Sequence, residues 1–473
     1  MSLQKSAHPG RTTATVGSLV FSSQLSRRSV LAFSAVVGLA GCVNTSGTSS
    51  STTSASAELA TSGSVVWWGY TPGSPVNDQY ITAFNKTYPN IKFTWKQTAI
   101  DDYDAALRPA LGNASGLDVY QMSAGSANGG VSVFGGNAID LTPAVQQQLG
   151  SDWKDKLSST GVSALTLDGQ LKALAAGAVF SGTIWINQDL FDKYKVTAPT
   201  DYASWKQACA TFKANGIQGF VQGAGQGAFN IDTIHAIADN VSPGTFVKAT
   251  RGEVPWTDPS IVKALGLWKQ LFDDGIMQAG ALGQMQYPDA NNEFMSQKAA
   301  MVMMGTWYSQ YLIPDVMKSA MEAAGSTAKQ FTMLPINFPD IAGTGKTGSL
   351  FGDVDYGQGV SANSANQGAA TTFALWMGTS KEGQQAIANS LNLIPALKGV
   401  SPDWTSVKLV NSDAQQGAMK DLIDRASAVN DAPRFATINA DMNQALMDAL
   451  AKVAAGKSTP DQAAADLVKA QKG

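Results

Sequence analysis

Histidine, cysteine and glutamate are nearly missing from this chain of 473 residues. It holds two His (His8, His235), two Cys (Cys42, Cys209) and five Glu (Glu58, Glu253, Glu293, Glu322, Glu382). So few imidazoles and thiols cannot assemble a His/Cys zinc site. A Ser-His-Asp triad would have to use His235. Charge is also sparse. Charged residues make up 15% of the chain, with a net charge of −3 and a pI near 5.5, which leaves no basic face for nucleic acid. Hydrophobic residues, at 44%, are those of a globular chain. The length predicts two or three structural units, enough for more than one core.

The first 42 residues read as an address. Ser26-Arg27-Arg28 precedes an apolar run from Val30 to Ala40 that ends at Cys42. The run is too short for a bilayer core, which needs about 20 residues. Charged, then apolar, then small residues is the layout of a secretory signal, and the Arg27-Arg28 pair resembles a twin-arginine signal. Leu39-Ala40-Gly41-Cys42 resembles the lipobox of bacterial lipoproteins, in which the Cys is acylated and becomes the first mature residue. Thirteen of residues 44–64 are Ser or Thr, a composition that behaves as a tether. A lipid anchor with a leash holds a domain at a membrane surface. Removing the four positive charges of the leader from −3 leaves −7 on the mature chain. Cys209, beside Trp205 and Phe212, is expected in the core, and no disulfide is expected.

The body alternates strand and helix. Strands are expected at 65–68, 91–95, 118–122, 179–187, 217–222, 300–304 and 358–362. Helices are expected at 78–88, 101–112, 200–214, 231–240, from Pro259, at 293–298, 367–377, 438–455 and from Pro460. The pattern strand, helix, strand, helix, strand implies a parallel sheet flanked by helices. No fixed-period repeat is present. Two α/β units of unequal size are expected.

Enzyme motifs fail on inspection. Gly345-Lys346-Thr347 ends like a P-loop, but the required earlier glycine is Asp340. Gly223-Ala224-Gly225-Gln226-Gly227 lacks dinucleotide spacing and reads as a loop that lets a ligand approach the backbone. Gly125-Ser126 lacks the nucleophile-elbow frame. Among 31 Asp no pair is singled out for glycosidase work. His235 sits among Ile231, Ile234 and Ile237 as a core histidine. No metal site and no cofactor are expected.

Aromatic residues stand instead at the ends of strands: Trp68 and Tyr70 around Gly69, Trp307 and Tyr308 after Gly305-Thr306, and Tyr356 among Gly352, Asp353, Asp355 and Gly357. Ligands of α/β sheets bind at carboxyl ends of strands. Rings offer stacking faces, and Asp and Asn accept or give directional hydrogen bonds. A sugar, apolar on its faces and hydroxylated at its rim, suits both.

Four stretches resemble the extracellular solute-binding proteins of bacterial ABC importers, in the carbohydrate branch that includes maltose-binding proteins. They are Phe84 to Phe93, Ile184 to Phe191, Pro199 to Trp205, and Ala299 to Trp307. The likeness spans about 63–470 and implies a two-lobe α/β fold, each lobe a mainly parallel sheet flanked by helices, with the ligand in the cleft between them. Lobe 1 is expected over 65–177 plus about 356–393, and lobe 2 over 178–355 plus about 394–473, after a signal at 1–41 and a tether at 42–64. Carried over, the resemblance puts Trp307 on the sugar, with Trp68, Tyr70, Phe229, Asn230, Asp232, Asp355 and Tyr356 about it; Tyr308 joins them as a strand-end aromatic. Family members usually place acids, often Glu, round the ligand; here Asp101, Asp118, Asp353 or Asp355 would serve. The expected partners are a mono- or oligosaccharide, the permease subunits of an ABC importer, and the membrane through Cys42. A monomer and no enzyme activity are expected. The alternatives are a non-sugar solute (an amine, a peptide or a metal chelate) and an extracytoplasmic enzyme using Asp pairs on polysaccharide.

Overall fold

The computed structural model describes residues 59–112, 116–126, 128–346 and 348–472. The expected signal with Arg27 and Arg28, Cys42, and the tether as far as residue 58 lie outside the described residues. Twelve strands occur among those described: β1 (Ser62–Gly69), β2 (Asn90–Gln97), β3 (Val119–Met122), β4 (Thr166–Leu167), β5 (Gln170–Leu171), β6 (Leu174–Ser181), β7 (Thr183–Asn187), β8 (Gln218–Val221), β9 (Ala299–Met303), β10 (Met333–Asn337), β11 (Phe351–Val360) and β12 (Ile394–Pro395). β1 begins inside the Ser/Thr-rich stretch read as tether. Ser62, Gly63 and Ser64 pair with Asn90, Ile91 and Lys92.

The first sheet runs β12-β6-β11-β3-β1-β2 and the second β10-β7-β9-β8; β4 and β5 form a separate hairpin. Both sheets are mixed. β1 is parallel to β2 and β3, while β11 runs antiparallel to β3 and β6. In the second sheet β8 and β9 are parallel, and β7 is antiparallel to β9 and β10.

The inner strands are buried on both faces and need no polar alternation, while the edge strand β2 alternates. In β7 all five residues are buried. Ile184 and Ile186 join Trp205, Phe220 and Trp268 on one face, and Trp185 joins Val302, Met304 and Tyr308 on the other. In the first lobe Val65 and Trp67 pack with Tyr80, Phe84, Phe373 and Trp376. Trp67 and Trp95, opposite in the β1–β2 register, hold their ring centroids 4.4 Å apart. At the carboxyl end of the chain, helices Ala440–Ala454 and Pro460–Lys472 complete the second lobe, where Trp268 Nε1 donates to Leu450 O at 3.0 Å.

The single strand expected over 179–187 is two strands in two sheets. Gly182 separates them with φ +94°, and a Cβ there would lie 2.2 Å from Ser349 O. Only glycine combines that conformation with so close a backbone. The chain passes between sheets at Gly182, returns between Asn337 and Phe351, and passes again after β12 toward helix Ser412–Ser427, whose Met419 and Leu422 pack in the second lobe. Residues 178–181 and 351–355 therefore pair within the first sheet, a few residues from the expected divisions at 177/178 and 355/356.

Candidate functional site

A cavity of ≈ 630 Å³ opens between the two sheets. Its first wall follows the carboxyl ends of β1 and β3, with Tyr70, Ser123 and Asp104. Its second wall is the start of helix Gly227–Val241 and the segment around Arg434 and Phe435. Asp353, Val354 and Asp355 of β11 form the back. That helix begins four residues before the expected 231, so Gln226 and Phe229 reach the cavity. Gln226 ties the walls together. Its Nε2 donates to both carboxylate oxygens of Asp101 across the opening, at 3.2 and 3.0 Å, while its Oε1 accepts from Tyr287 N at 3.3 Å.

Tyr70 donates its hydroxyl to Asp355 O at 2.7 Å, and its own N–H is held by Gln121 Oε1 at 2.9 Å. Burial, and the nearby Asp355 charge, push its phenol well above the usual range. The Asp355 carboxylate accepts no hydrogen bond from the described residues. Burial pushes it up to about 6, against the pull of Arg434. Asp353 is 6% exposed. Its Oδ2 accepts from Phe435 N and Ala436 N at 2.5 and 2.9 Å, and its Oδ1 has no partner. Burial raises this carboxyl too, opposed by those N–H groups and Arg434.

Arg434 is the centre of the second wall, and sequence reasoning missed it. Its Nε and Nη2 make a two-point pair with Asp232, at 2.7 and 2.6 Å. Its guanidinium carbon lies 4.6 Å from the Trp307 ring centroid and 4.5 Å from that of Phe435. Burial works against its charge, but Asp232 and then Asp355 and Asp353 hold it firmly protonated. The one signal in the sequence was an Arg between Pro433 and Phe435 in a chain with only four Arg beyond the leader.

The sequence-derived residues separate into two groups. Tyr70, Phe229 and Asp355 line the cavity. Asp232 and Trp307 stand directly behind Arg434, and the Trp307 indole donates to Tyr287 Oη at 3.2 Å with Phe229 6.3 Å away. The other five are held elsewhere. Trp68 lies under the Lys96 ammonium at 3.4 Å. Asp118 precedes β3, at the end opposite the cavity, where it accepts from Val66 N at 2.8 Å and from Ser364 Oγ. Asn230 is buried between Gln222 and Ala224 O. Tyr308 is in the core and donates to Asn291 Oδ1 at 3.0 Å. Tyr356 is fully buried in the first lobe, edge-on to Tyr70. Successive strand residues point to opposite faces, so Tyr356, one position from Asp355 on β11, enters the core.

His235 is a core residue, as its apolar neighbours suggested. It stacks between Phe351 and Phe246, with ring centroids 3.7 and 4.5 Å away. Among the described residues no His/Cys/Asp/Glu group is arranged to hold a metal, and no helix is long and apolar enough to cross a membrane.

Two lobes joined by three crossings, with a walled cavity between them, define the periplasmic-binding-protein architecture. The model of the bacterial extracellular solute-binding protein family matches residues 79–415, and the chain belongs to that family. No curated protein matches it closely. Among solved structures, a protein from a study of xylan utilization by the thermophilic bacterium Caldanaerobius polysaccharolyticus is 22% identical, with a TM-score of 0.68 over 86% of this chain and 99% of that one. The GacH receptor of Streptomyces glaucescens GLA.O, studied unliganded and with acarbose, is 20% identical, with a TM-score of 0.64 over 87% and 98%. Maltose-bound MalE3 of T. maritima is 17% identical, with a TM-score of 0.65 over 86% and 99%. At these identities the likeness concerns the fold.

Proposed function

We propose that the chain binds an extracellular carbohydrate, a mono- or oligosaccharide, between its lobes and delivers it to the permease of an ABC importer. The observation that carries this reading is the cavity itself: rings of Tyr70, Phe229 and Phe435 beside carboxylates at Asp353 and Asp355. Rings cover the C–H faces of a sugar and carboxylates accept from its hydroxyls. The solved relatives named above, studied with acarbose, with maltose or for xylan utilization, support the same class of ligand. Tyr70, Phe229 and Asp355 contact the ligand in this reading, and Asp232 and Trp307 position Arg434 beside it. Membership of the solute-binding family supports a receptor in this reading.

A thermal-shift screen against mono- and oligosaccharides tests this, because a ligand that binds only the folded state raises the melting temperature. A rise with one saccharide series is expected; a flat response to every saccharide, with a rise for peptides or metal chelates, overturns the reading. The receptor is further proposed to be exported through Arg27-Arg28 and anchored through an acylated Cys42. Cys42→Ala should abolish fatty-acid labelling, and persistent labelling would refute the anchor.

A further inference from the structure

Charge in the cavity is unbalanced. Its lining holds Asp101, Asp104, Asp353 and Asp355 against one cation, Arg434. Arg434 pulls on Asp353 and Asp355, but its one charge is shared. Two of its nitrogens are spent on Asp232, which is 2% exposed, and its faces lie on Trp307 and Phe435. Arg108 acts on Asp104 from the helix Tyr103–Leu111 but is exposed and directed over the Phe134 ring.

The four carboxylates differ in what they already hold. Asp101 takes the Gln226 amide, and Asp104 accepts from Gly129 N at 2.5 Å. Asp353 Oδ1 is buried and has no partner, and the Asp355 carboxylate receives no hydrogen bond from the described residues. Asp353 has N–H donors on one oxygen only, and taking a carboxylate out of water with too few donors and a shared counter-charge is costly. A group that brought both to the back of the cavity would remove that cost. Tyr70 and Phe229 are on the same lining, and aromatic rings attract a cation.

Resting on the carbohydrate reading, we propose that the solute is an amine-bearing saccharide whose protonated nitrogen sits between Asp353 and Asp355. Hydroxyls alone satisfy the lone pairs but leave the charge. A uronic acid or sugar phosphate adds like charge to a site whose only cation is already paired, and is excluded.

Calorimetric titration at pH 7 with three oligosaccharides of equal length tests this: glucosamine units, N-acetylglucosamine units, and galacturonic acid units. A fourth arm uses spermidine, an amine without a sugar ring. The glucosamine oligomer is expected to bind at least about tenfold more tightly than its acetylated counterpart, with the advantage shrinking as salt screens the charges, and the uronate is not expected to bind. Asp355→Asn and Asp353→Asn should each weaken the glucosamine oligomer more than the acetylated one, with ligand-free melting curves showing that the variants fold. Equal or tighter binding of the neutral oligomer overturns the inference and leaves the carbohydrate reading standing. Spermidine binding as tightly as the glucosamine oligomer keeps the charge preference and overturns the carbohydrate reading. Binding of none of the four, in a protein that also fails the saccharide screen, overturns both.

Discussion

Arg434 with Asp232, and Asp353 with Asp355, are charge centres at the same end of one cavity, and they are built in opposite ways. The first is closed: two charge-assisted hydrogen bonds, ring faces on the guanidinium, and a carboxylate 2% exposed. The second is open, with a buried oxygen lacking any partner and a carboxylate raised to about 6. A charge that has its counter-ion in the fold is part of the architecture. A charge with only a shared counter-ion keeps capacity for a ligand.

Removing one member of the closed centre should have the largest effect. Asp232→Ala leaves Arg434 buried and unpaired and should cost about 3–5 kcal/mol of stability, read by denaturant unfolding. Asp232→Leu with Arg434→Met should recover most of that loss. A single variant as stable as the parent would mean that this pair is no more closed than its neighbour.

His235 gives the next effect, and it lies one turn beyond Asp232 on the same helix. Both ring nitrogens lack hydrogen-bond partners, and burial pushes its pKa down to about 3 from 6.5. The unfolded chain then binds a proton that the folded chain refuses, so stability falls as pH drops below about 6.5. His235→Phe keeps the stack with Phe246 and Phe351 and removes that proton. At pH 4.5 the variant should gain about 2–3 kcal/mol relative to the parent, with the gain vanishing near pH 7. Asp239, raised by burial to about 6, lies 3.8 Å from His235 Nε2, so the comparison is repeated in an Asp239→Asn background to isolate the histidine.

For the open centre the sign reverses. A carboxyl raised in the folded state contributes stability at low pH that is lost as pH rises through about 6. Asp355→Asn should therefore stabilise the ligand-free protein by about 1–2 kcal/mol at pH 7.5, with the advantage gone by pH 4. Melting temperatures across that range check it, and a destabilised variant at pH 7.5 would class Asp355 with Asp232. The smallest effect is expected from Asp101→Ala, which removes only the bond to Gln226 across the opening. About 0.5–1.5 kcal/mol is at stake, enough to shift ligand-free protein toward a wider cleft, visible as a larger radius of gyration in X-ray scattering.

Most of the fold was legible because its signals are local. Val65 to Trp68 and Ala300 to Met304 are apolar runs of strand length, Ile91 to Trp95 alternates apolar and polar residues, and Pro259 and Pro460 mark helix starts. β11 was only half seen. Gly352, Asp353, Asp355 and Gly357 argue against a strand, yet that segment is the middle of the first sheet. The reason is distant: a Cβ on Gly352 would lie 2.1 Å from Val179 O, and Asp353 answers N–H groups of Phe435 and Ala436. The site was less legible for the same cause. Tyr70 and Asp355 are a hydrogen bond apart although 285 residues separate them. Arg434 acquires its role only when Asp232, 202 residues earlier, is folded against it. Which of Trp307 and Tyr308 stands behind Arg434 and which enters the core depends on packing that spacing alone did not settle.

The place of β11 bears on when the protein can exist. It lies between β6 and β3 in the first sheet, but β3 ends at Met122 and β11 begins at Phe351. At about 5–20 residues per second of synthesis, the first lobe waits on the order of 10–45 s on the ribosome for its own central strand. During that interval the flanks of β3 and β6 are unpaired edges, which invite pairing with other chains. The second lobe has all its strands, which run without interruption from Thr183 to Asn337, before β11 is made, but its core still waits for helices Ala440–Ala454 and Pro460–Lys472.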